Sequence, residues 1–492
     1  MNQSAPNGFG FTPHIVATGF TTAFLGDERT LREFVAGDLV VRTMLKRGRV
    51  SVLYLINDTY DPLNERQLRV GVNKDPALIE KFKPFCGRPI SEIPDPYGCH
   101  DSYALHFTEA LLGRLHSLDI HPVVLDSYQA YQSGLYAPFV AQTLEGYAAI
   151  QERLAANCQQ YTPRNLFRVQ CPECRCIDAT DIRGVEAGWV AFHCERCGKD
   201  MRQVTGAVRG KLAWKLDCAA RWNLYQIDTE TFSKTHFADL GTLNISKFVS
   251  QEIFGGKIPA IVKYGDLRLS RELSGRLLEA LPPRMLKALL TTRLRRDLDL
   301  TRDYVENFCR KYTIRPGVSY VDYVRQELPR KALALESELE RPRQTSSDGH
   351  RESAENELVA FGNRFSAFFY NKRYDVRFPV AEAFDGIEPA TLTTARDAIR
   401  HALHLRDGGM HDSEALKLQI KNFFADRPSA PGVYPFLRKV FGQTDGPNIT
   451  SLLAILPRNY LNTVHLVLSA LTRTPREDHE TVAFDRGEEK AA

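Results

Sequence analysis

Long apolar runs are missing from this 492-residue chain. None approaches the 18 or more apolar residues that a membrane-spanning helix requires. The opening stretch, Met1 to Pro13, lacks the basic start and apolar core of a secretory signal. The expected location is therefore the cytosol. An excess of one charge is also missing: the net charge is +4, too small to imply a nucleic-acid partner unless basic residues cluster on one face. No internal repeat is visible, which excludes solenoids and propellers. Ten cysteines in a cytosolic chain point to metal ligation or free thiols rather than disulfides. The length exceeds what one hydrophobic core usually serves, so two or three domains are expected.

The first segment has Rossmann-type grammar. His14–Thr18 is a short β-rich run, and a loop from Gly19 to Arg29 follows. Thr30 with Glu33 has the spacing of a capping box, and Leu31, Phe34, Val35, Leu39 and Met44 continue at helical spacing until Gly48. Val50–Ile56 is too short for a helix and too apolar for a surface strand, so it reads as a strand buried on both faces. Strand, loop, helix and strand make one βαβ unit. Further on, Glu109–Leu118 reads as helix, Pro122–Leu125 as strand, and Pro138–Ala155 as helical. After Leu277 the pattern is helical almost throughout. Glu336–Glu357 is polar and charged without an apolar stripe, which predicts a mobile linker.

Two cysteine pairs stand out. Cys171 and Cys174, then Cys194 and Cys197, sit in knuckle-like turns nineteen residues apart. Such turns present four thiolates tetrahedrally to one Zn²⁺, and four protein ligands leave no open position for chemistry. The zinc expected here is structural. Cys176, two residues beyond the first pair, is a possible substitute ligand. His100, Asp101 and His106 carry little weight as a metal site, because an i, i+6 spacing does not put two histidines on one helical face.

Several longer segments resemble the class I lysyl-tRNA synthetase family. Pro89 to Tyr103 (PISEIPDPYGCHDSY) is nearly the family's own stretch, and Asp58-Thr-Tyr-Asp61 is similar to its Asp-Asp-Tyr-Asp run. Trp214 to Trp222 (WKLDCAARW) resembles its W-x-x-D-W-P-x-R-W run, and His236 and Lys247 fall at the family's spacing. Asp445-Gly-Pro447 with Leu452-Leu453 looks like its ending. The resemblance implies an α/β fold: a Rossmann-type catalytic domain over 1–164 and 206–276, interrupted by a zinc-ribbon insertion at 165–205. It further implies a helical connecting domain over 277–335, the linker at 336–357, an all-α anticodon-binding-like domain over 358–472, and a disordered tail over 473–492. The partners it implies are tRNA or aminoacyl-tRNA and an amino acid such as lysine or an analogue. Arg293, Arg295, Arg296, Arg310 and Lys311 are candidate phosphate contacts.

Residue by residue, the resemblance assigns the amino-acid pocket to Gly19, Thr21, Asp58, Trp214, Asp217, Arg221 and His236. The ATP signatures are eroded. The family's His-x-Gly-Asn falls on Asp27-Glu28-Arg29-Thr30, and the lysines of its mobile loop are absent from Arg268-Leu-Ser270-Arg-Glu272. Arg268 and Arg271 carry charge there, but arginine is not a neutral replacement for lysine. Asp27 and Glu28 place negative charge where phosphate would bind, yet they also suit the positive end of a helix. No catalytic residue is assigned. The expectation is a paralogue that binds an amino acid or aminoacyl-tRNA with weak or absent lysine-dependent ATP activation. The alternatives are a working lysyl-tRNA synthetase with unusual ATP contacts and a non-catalytic tRNA-binding or interaction module.

Overall fold

The computed structural model describes residues 12–159, 161–329, 331–332, 349–372, 383–410, 412–426, 432–442, 448–456 and 458–472. The Asp445–Pro447 motif and the tail at 473–492 lie outside these. The chain divides into two compact units, one ending at Phe308 and the other beginning at Cys309.

In the first unit, strands β1 (His14–Phe20), β2 (Ser51–Asn57) and β3 (Val123–Asp126) run parallel. Strands β4 (Phe167–Val169), β5 (Thr180–Glu186), β6 (Trp189–Cys194), β7 (Lys199–Val204) and β8 (Gly210–Leu212) belong to the inserted module. Strands β9 (Thr229–Ser233) and β10 (Ala260–Tyr264) then return to the main sheet. Its order is β10-β9-β1-β2-β3, parallel throughout. The chain thus builds outward from β1 on one side, then from β9 on the other. Open α/β sheets bind ligands outside the carboxyl ends of the strands at such a reversal. Here those ends are Gly19–Phe20 of β1 and the turn after β9 that carries His236.

The first helix, α1, spans Glu28–Lys46, and Gly48 follows it at φ 74°. Its cap corrects the capping-box reading. Asp27 is the N-cap and accepts from the Arg29 amide, so Thr30 lies inside the first turn. Glu33 does not reach back to a cap amide; it points to the sheet. The second helical stretch is two helices, Ala137–Glu145 and Tyr147–Asn157, broken at Gly146.

The inserted module is a three-stranded antiparallel sheet β5-β6-β7 beside the pair β4–β8. The first cysteine knuckle lies between β4 and β5, the second between β6 and β7. The reading of uninterrupted helix after Leu277 is corrected by strand pairing. Leu298–Leu300 pairs in parallel with Leu267–Leu269, and Thr313–Arg315 pairs with Val318–Ser319. Segments of two or three residues leave no period to read.

In the second unit, helices Pro389–Asp407, Ser413–Ala425, Val433–Val440, Ile449–Ile455 and Arg458–Leu471 surround a core of Ile399, Ile420, Leu437, Leu453 and Val464. The expected linker at 336–357 differs in its second half: a helix runs Gly349–Tyr370. Buried Val359 and Phe365 anchor that helix from its far end, and a polar first half of good helix formers continues it.

Gly210 shows how tightly β8 is held. A Cβ there would lie 2.2 Å from the Arg168 carbonyl oxygen, at φ 158°. Gly206 has nothing within 4 Å. Gly210→Ala is expected to destabilise the first unit by about 2 kcal/mol, and Gly206→Ala by much less. Thermal unfolding of the two variants checks this; equal midpoints contradict it.

Candidate functional site

The wall of the cleft begins at the end of β1. A Cβ on Gly19 would stand 3.1 Å from Nη1 of Arg221, so glycine lets strand and guanidinium approach closely without a shift. Arg221 lies on the Trp214–Leu224 helix and stacks over the Trp214 ring at 4.6 Å. The Trp214 indole donates to Thr242 Oγ1 at 3.0 Å, and Nδ1 of His236 is 3.2 Å from the same hydroxyl. Burial and the neighbouring Arg221 guanidinium hold the His236 pKa below its usual value, so the imidazole is neutral near pH 7.

Facing Gly19 is a residue the sequence reading mistook for a cap. Glu33 accepts from the Gly19 amide at 3.2 Å and from the Tyr264 hydroxyl at 2.9 Å. Burial pushes its pKa up to about 7, against those two hydrogen bonds. A carboxylate poised near neutrality at the carboxyl ends of β1 and β10 is a natural acceptor for an ammonium group. Its spacing from Thr30 fits a capping box equally well, so only the fold separates the two roles.

Behind this wall sits a buried charge network. Lys211, on β8, donates to Asp58 at 3.0 Å and Asp61 at 2.8 Å, with Asp217 at 3.9 Å. Burial works to discharge Lys211, but the three carboxylates outweigh it and its pKa is raised. Arg221 pairs with Glu230 at 2.8 Å and lies 3.5 Å from Asp58. Thr21 gives its hydroxyl to Asp61 at 2.7 Å, and Tyr131 donates to Asp217 at 2.6 Å. Of the seven pocket residues expected from the sequence, Gly19 meets Arg221, Arg221 stacks on Trp214, and Trp214 and His236 share the Thr242 hydroxyl. Asp58, Asp217 and the Arg221–Glu230 pair lie behind this wall, each less than 3% exposed. Lys211 carried no signal: a single lysine in Gly-Lys-Leu reads as surface.

The start of α1 meets the segment that follows Arg268–Glu272. Asp27 accepts from the Ser274 hydroxyl at 2.6 Å. Glu28 is fully buried and accepts from the amides of Gly275 at 2.8 Å, Leu277 at 3.0 Å and Leu278 at 3.3 Å. The dipole role foreseen for both acids thus divides: Asp27 caps α1, while Glu28 binds the start of the Leu277–Ala280 turn. Arg268 is drawn to Asp297 at 3.2 Å and Asp299 at 3.4 Å, and Ser270 accepts the Leu273 and Ser274 amides in a tight turn. A cavity of about 680 Å³ is lined by Asp27, Ser274 and Gly275 together with Arg29, Thr30, Arg66 and Arg114.

In the insertion, the sulfurs of Cys171 and Cys197 lie 3.6 Å apart, as do those of Cys174 and Cys194. All four are within 4.8 Å of one another. A tetrahedron with Zn–S near 2.3 Å has edges of about 3.8 Å, so the donor set fits zinc. The ion would tie the two knuckles together and supply no open coordination position. Cys176 is not in this set. Its buried thiol sits 3.8 Å from the carbonyls of Cys86 and Cys174.

The parallel sheet with its site at the strand ends and a cysteine-rich insertion has the architecture of a class I aminoacyl-tRNA synthetase core. A family model described as tRNA synthetases class I (K) matches residues 4–274. The chain belongs to the class I lysyl-tRNA synthetase family. It is 30% identical over 326 residues to a lysine–tRNA ligase of Archaeoglobus fulgidus, covering 61% of this chain and 63% of that one. It is 31% identical over 295 residues to lysine–tRNA ligase 1 of Methanosarcina acetivorans, covering 56% and 53%. The chain therefore spans less than two thirds of these relatives. A solved glutamate tRNA ligase from Elizabethkingia meningosepticum aligns over 94% of this chain and all of that one, at 9% identity and a TM-score of 0.42. Among the described residues no helix is long and apolar enough to cross a membrane.

Two outcomes follow from this geometry. Cys174→Ser removes one equivalent of bound zinc and loosens the insertion far more than Cys158→Ser does, read by metal analysis and thermal unfolding; equal stability of the two contradicts it. Glu28→Ala releases the amides of Gly275, Leu277 and Leu278. Charge-assisted hydrogen bonds are worth about 1.5–3 kcal/mol each, so amide exchange there should accelerate at least tenfold, and unchanged protection contradicts the contact.

Proposed function

We propose that this protein binds an amino acid, or the aminoacyl end of a tRNA, in the cleft between Gly19, Glu33, Trp214 and His236, and that it does not activate lysine with ATP in the family's usual way. The observation that carries this reading is the engagement of Asp27 and Glu28 with Ser274–Leu278. The two segments that would grip ATP from opposite sides are joined to each other by carboxylates. Adenylate formation builds charge on the α-phosphate and the departing pyrophosphate. Preorganised donors at such points each supply about 3 kcal/mol, roughly a hundredfold in rate. Replacing donors by acids at one end, and drawing Arg268 onto Asp297 at the other, costs about four orders of magnitude.

The amino-acid half of the reading rests on Glu33. A Glu33 carboxylate at the end of β1 favours a cationic ligand, and the relatives' names, lysine–tRNA ligase, make lysine or a close analogue the first choice. Zinc has a structural role in this reading, ATP is not a required cofactor, tRNA or aminoacyl-tRNA is the macromolecular partner, and the cytosol is the place of action.

A second reading is a working lysine–tRNA ligase with unusual ATP contacts. The cavity favours it, because Arg29, Arg66 and Arg114 stand around the start of α1 where phosphates would need cations.

Lysine-dependent exchange of pyrophosphate into ATP separates the two. The first reading expects none above background, and robust exchange supports the second. Lysine binding itself is expected to follow Glu33. With its pKa at about 7, the carboxylate is charged above pH 8 and takes up a proton below pH 7, so affinity falls about tenfold by pH 6. Calorimetry at pH 8 and pH 6 checks this, with Glu33→Gln expected to bind weakly at both; affinity independent of pH and of Glu33 contradicts it.

A further inference from the structure

A cavity of about 370 Å³ lies where strand β4 of the insertion meets the start of the Trp214–Leu224 helix. That is within the range of about 300–1,000 Å³ that small-molecule sites occupy. Tyr161, Arg168, Ala213, Trp214 and Lys215 are in its lining. Trp214 belongs to both places: it lines this cavity, and its indole shares the Thr242 hydroxyl with His236. The cavity therefore adjoins the proposed amino-acid cleft.

The charges of this cavity do not cancel. Arg164 is held by Asp181 at 3.2 Å and by Glu195 at 2.5 Å. Lys215 donates to the Leu240 carbonyl at 2.6 Å and lies 4.0 Å over the Tyr161 ring. Asp178, the acidic residue in the lining, sits against Gly87, where an added Cβ would be 2.6 Å from Oδ1. The guanidinium of Arg168 is half-buried and, among the described residues, has neither a hydrogen bond nor an ion pair.

Register sharpens the point. Arg168 stands directly opposite Lys211 in the β4–β8 ladder, so the two side chains leave the same face, and like charges placed this way are destabilising. Lys211 is matched by Asp58 and Asp61. Burial would raise the Asp61 carboxyl, and Lys211, Thr21 and lastly Arg168 hold it down, but Asp61 does not pair with Arg168. A guanidinium partly removed from water without a counter-ion favours an anion from outside the chain, best one whose oxygens match its fork. The helix adds donors: its N-cap is Ala213, which offers no side-chain cap, and the amides of Trp214 and Lys215 have no acceptor among the described residues. Those amides alone would not mark a site; the unmatched guanidinium in the same cavity does.

A ligand that serves both places carries an amino acid and an anion on one molecule. The relatives' names pair lysine with tRNA, and an amino acid on the 3′ oxygen of a nucleotide has this form. We propose that the cavity is a phosphate subsite, with Arg168 as its binding residue, for a 3′-aminoacylated nucleotide whose amino acid occupies the cleft beside Trp214. This rests on the proposed amino-acid cleft and names the larger ligand that the cleft serves.

Calorimetry on the full chain tests it with three probes: lysine, 3′-lysylamido-3′-deoxyadenosine, and the same amide carrying a 5′-phosphate. The phosphate is expected to tighten binding by the wild type roughly tenfold to a hundredfold. In Arg168→Gln that gain falls below about twofold, and Arg168→Lys recovers part of it because charge remains without the fork. Equal affinity of the wild type for the two amides overturns the proposal, a comparison that needs no variant. An equal phosphate gain in wild type and Arg168→Gln overturns it as well. A phosphate gain that depends on Arg168, with no binding of lysine itself, upholds the subsite and contradicts the amino-acid cleft.

Discussion

The cleft depends on the buried charge network beneath it. Lys211 leaves the insertion on β8 and enters a pocket made by Asp58 and Asp61 after β2 and by Asp217 on the next helix. Arg221, one turn further along that helix, reaches Glu230 on β9. These contacts join the two halves of the main sheet across the cysteine-rich insertion. Removing one partner of a buried pair usually costs about 3–5 kcal/mol, because the other charge is left in low dielectric. The network therefore fixes where Gly19, Trp214 and His236 stand, without its own carboxylates facing a ligand. It also explains why the family resemblance survives in Trp214–Trp222 although Cys218 and Ala219 replace larger residues: Asp217 and Arg221 bear the electrostatic role, and their neighbours only fill space.

The start of α1 follows a different logic. In α1 the first two acidic residues are used as acceptors for backbone amides and a serine hydroxyl from Ser274–Leu278. Burial alone would push Glu28 toward its neutral form, and its pKa is raised accordingly. Three amide donors partly offset that burial. The arrangement stabilises the join between the start of α1 and Ser274–Leu278. A helix start that has spent its acceptors on the chain itself offers a phosphate repulsion on one side, while Arg29 is occupied by Asp27.

Much of this architecture was legible in the residues. The βαβ start is local and periodic, the two cysteine knuckles are marked by spacing alone, and the Trp214–Trp222 run carries family likeness. What escaped was whatever depends on distant partners. Glu33 looked like half of a capping box because that spacing is identical, and its real partners are Gly19 across the sheet and Tyr264 at the end of β10. Glu28 looked like a dipole acid because its true acceptor role involves residues some 250 positions away. Lys211 carries no local mark in the sequence, and only the meeting of β2, β8 and the following helix makes it a buried cation. His100 lies in the loop before the Tyr103–Ser117 helix and His106 within it, so helical spacing does not describe the pair.

The proposed function needs a cleft that holds an amino acid while Asp27 and Glu28 stay committed to Ser274–Leu278. Equilibrium dialysis of the full chain against radiolabelled lysine and, separately, radiolabelled ATP with magnesium tests it most directly. Retention of lysine with no retention of ATP at sub-millimolar concentration is the predicted result. Saturable binding of ATP at micromolar concentration would contradict it.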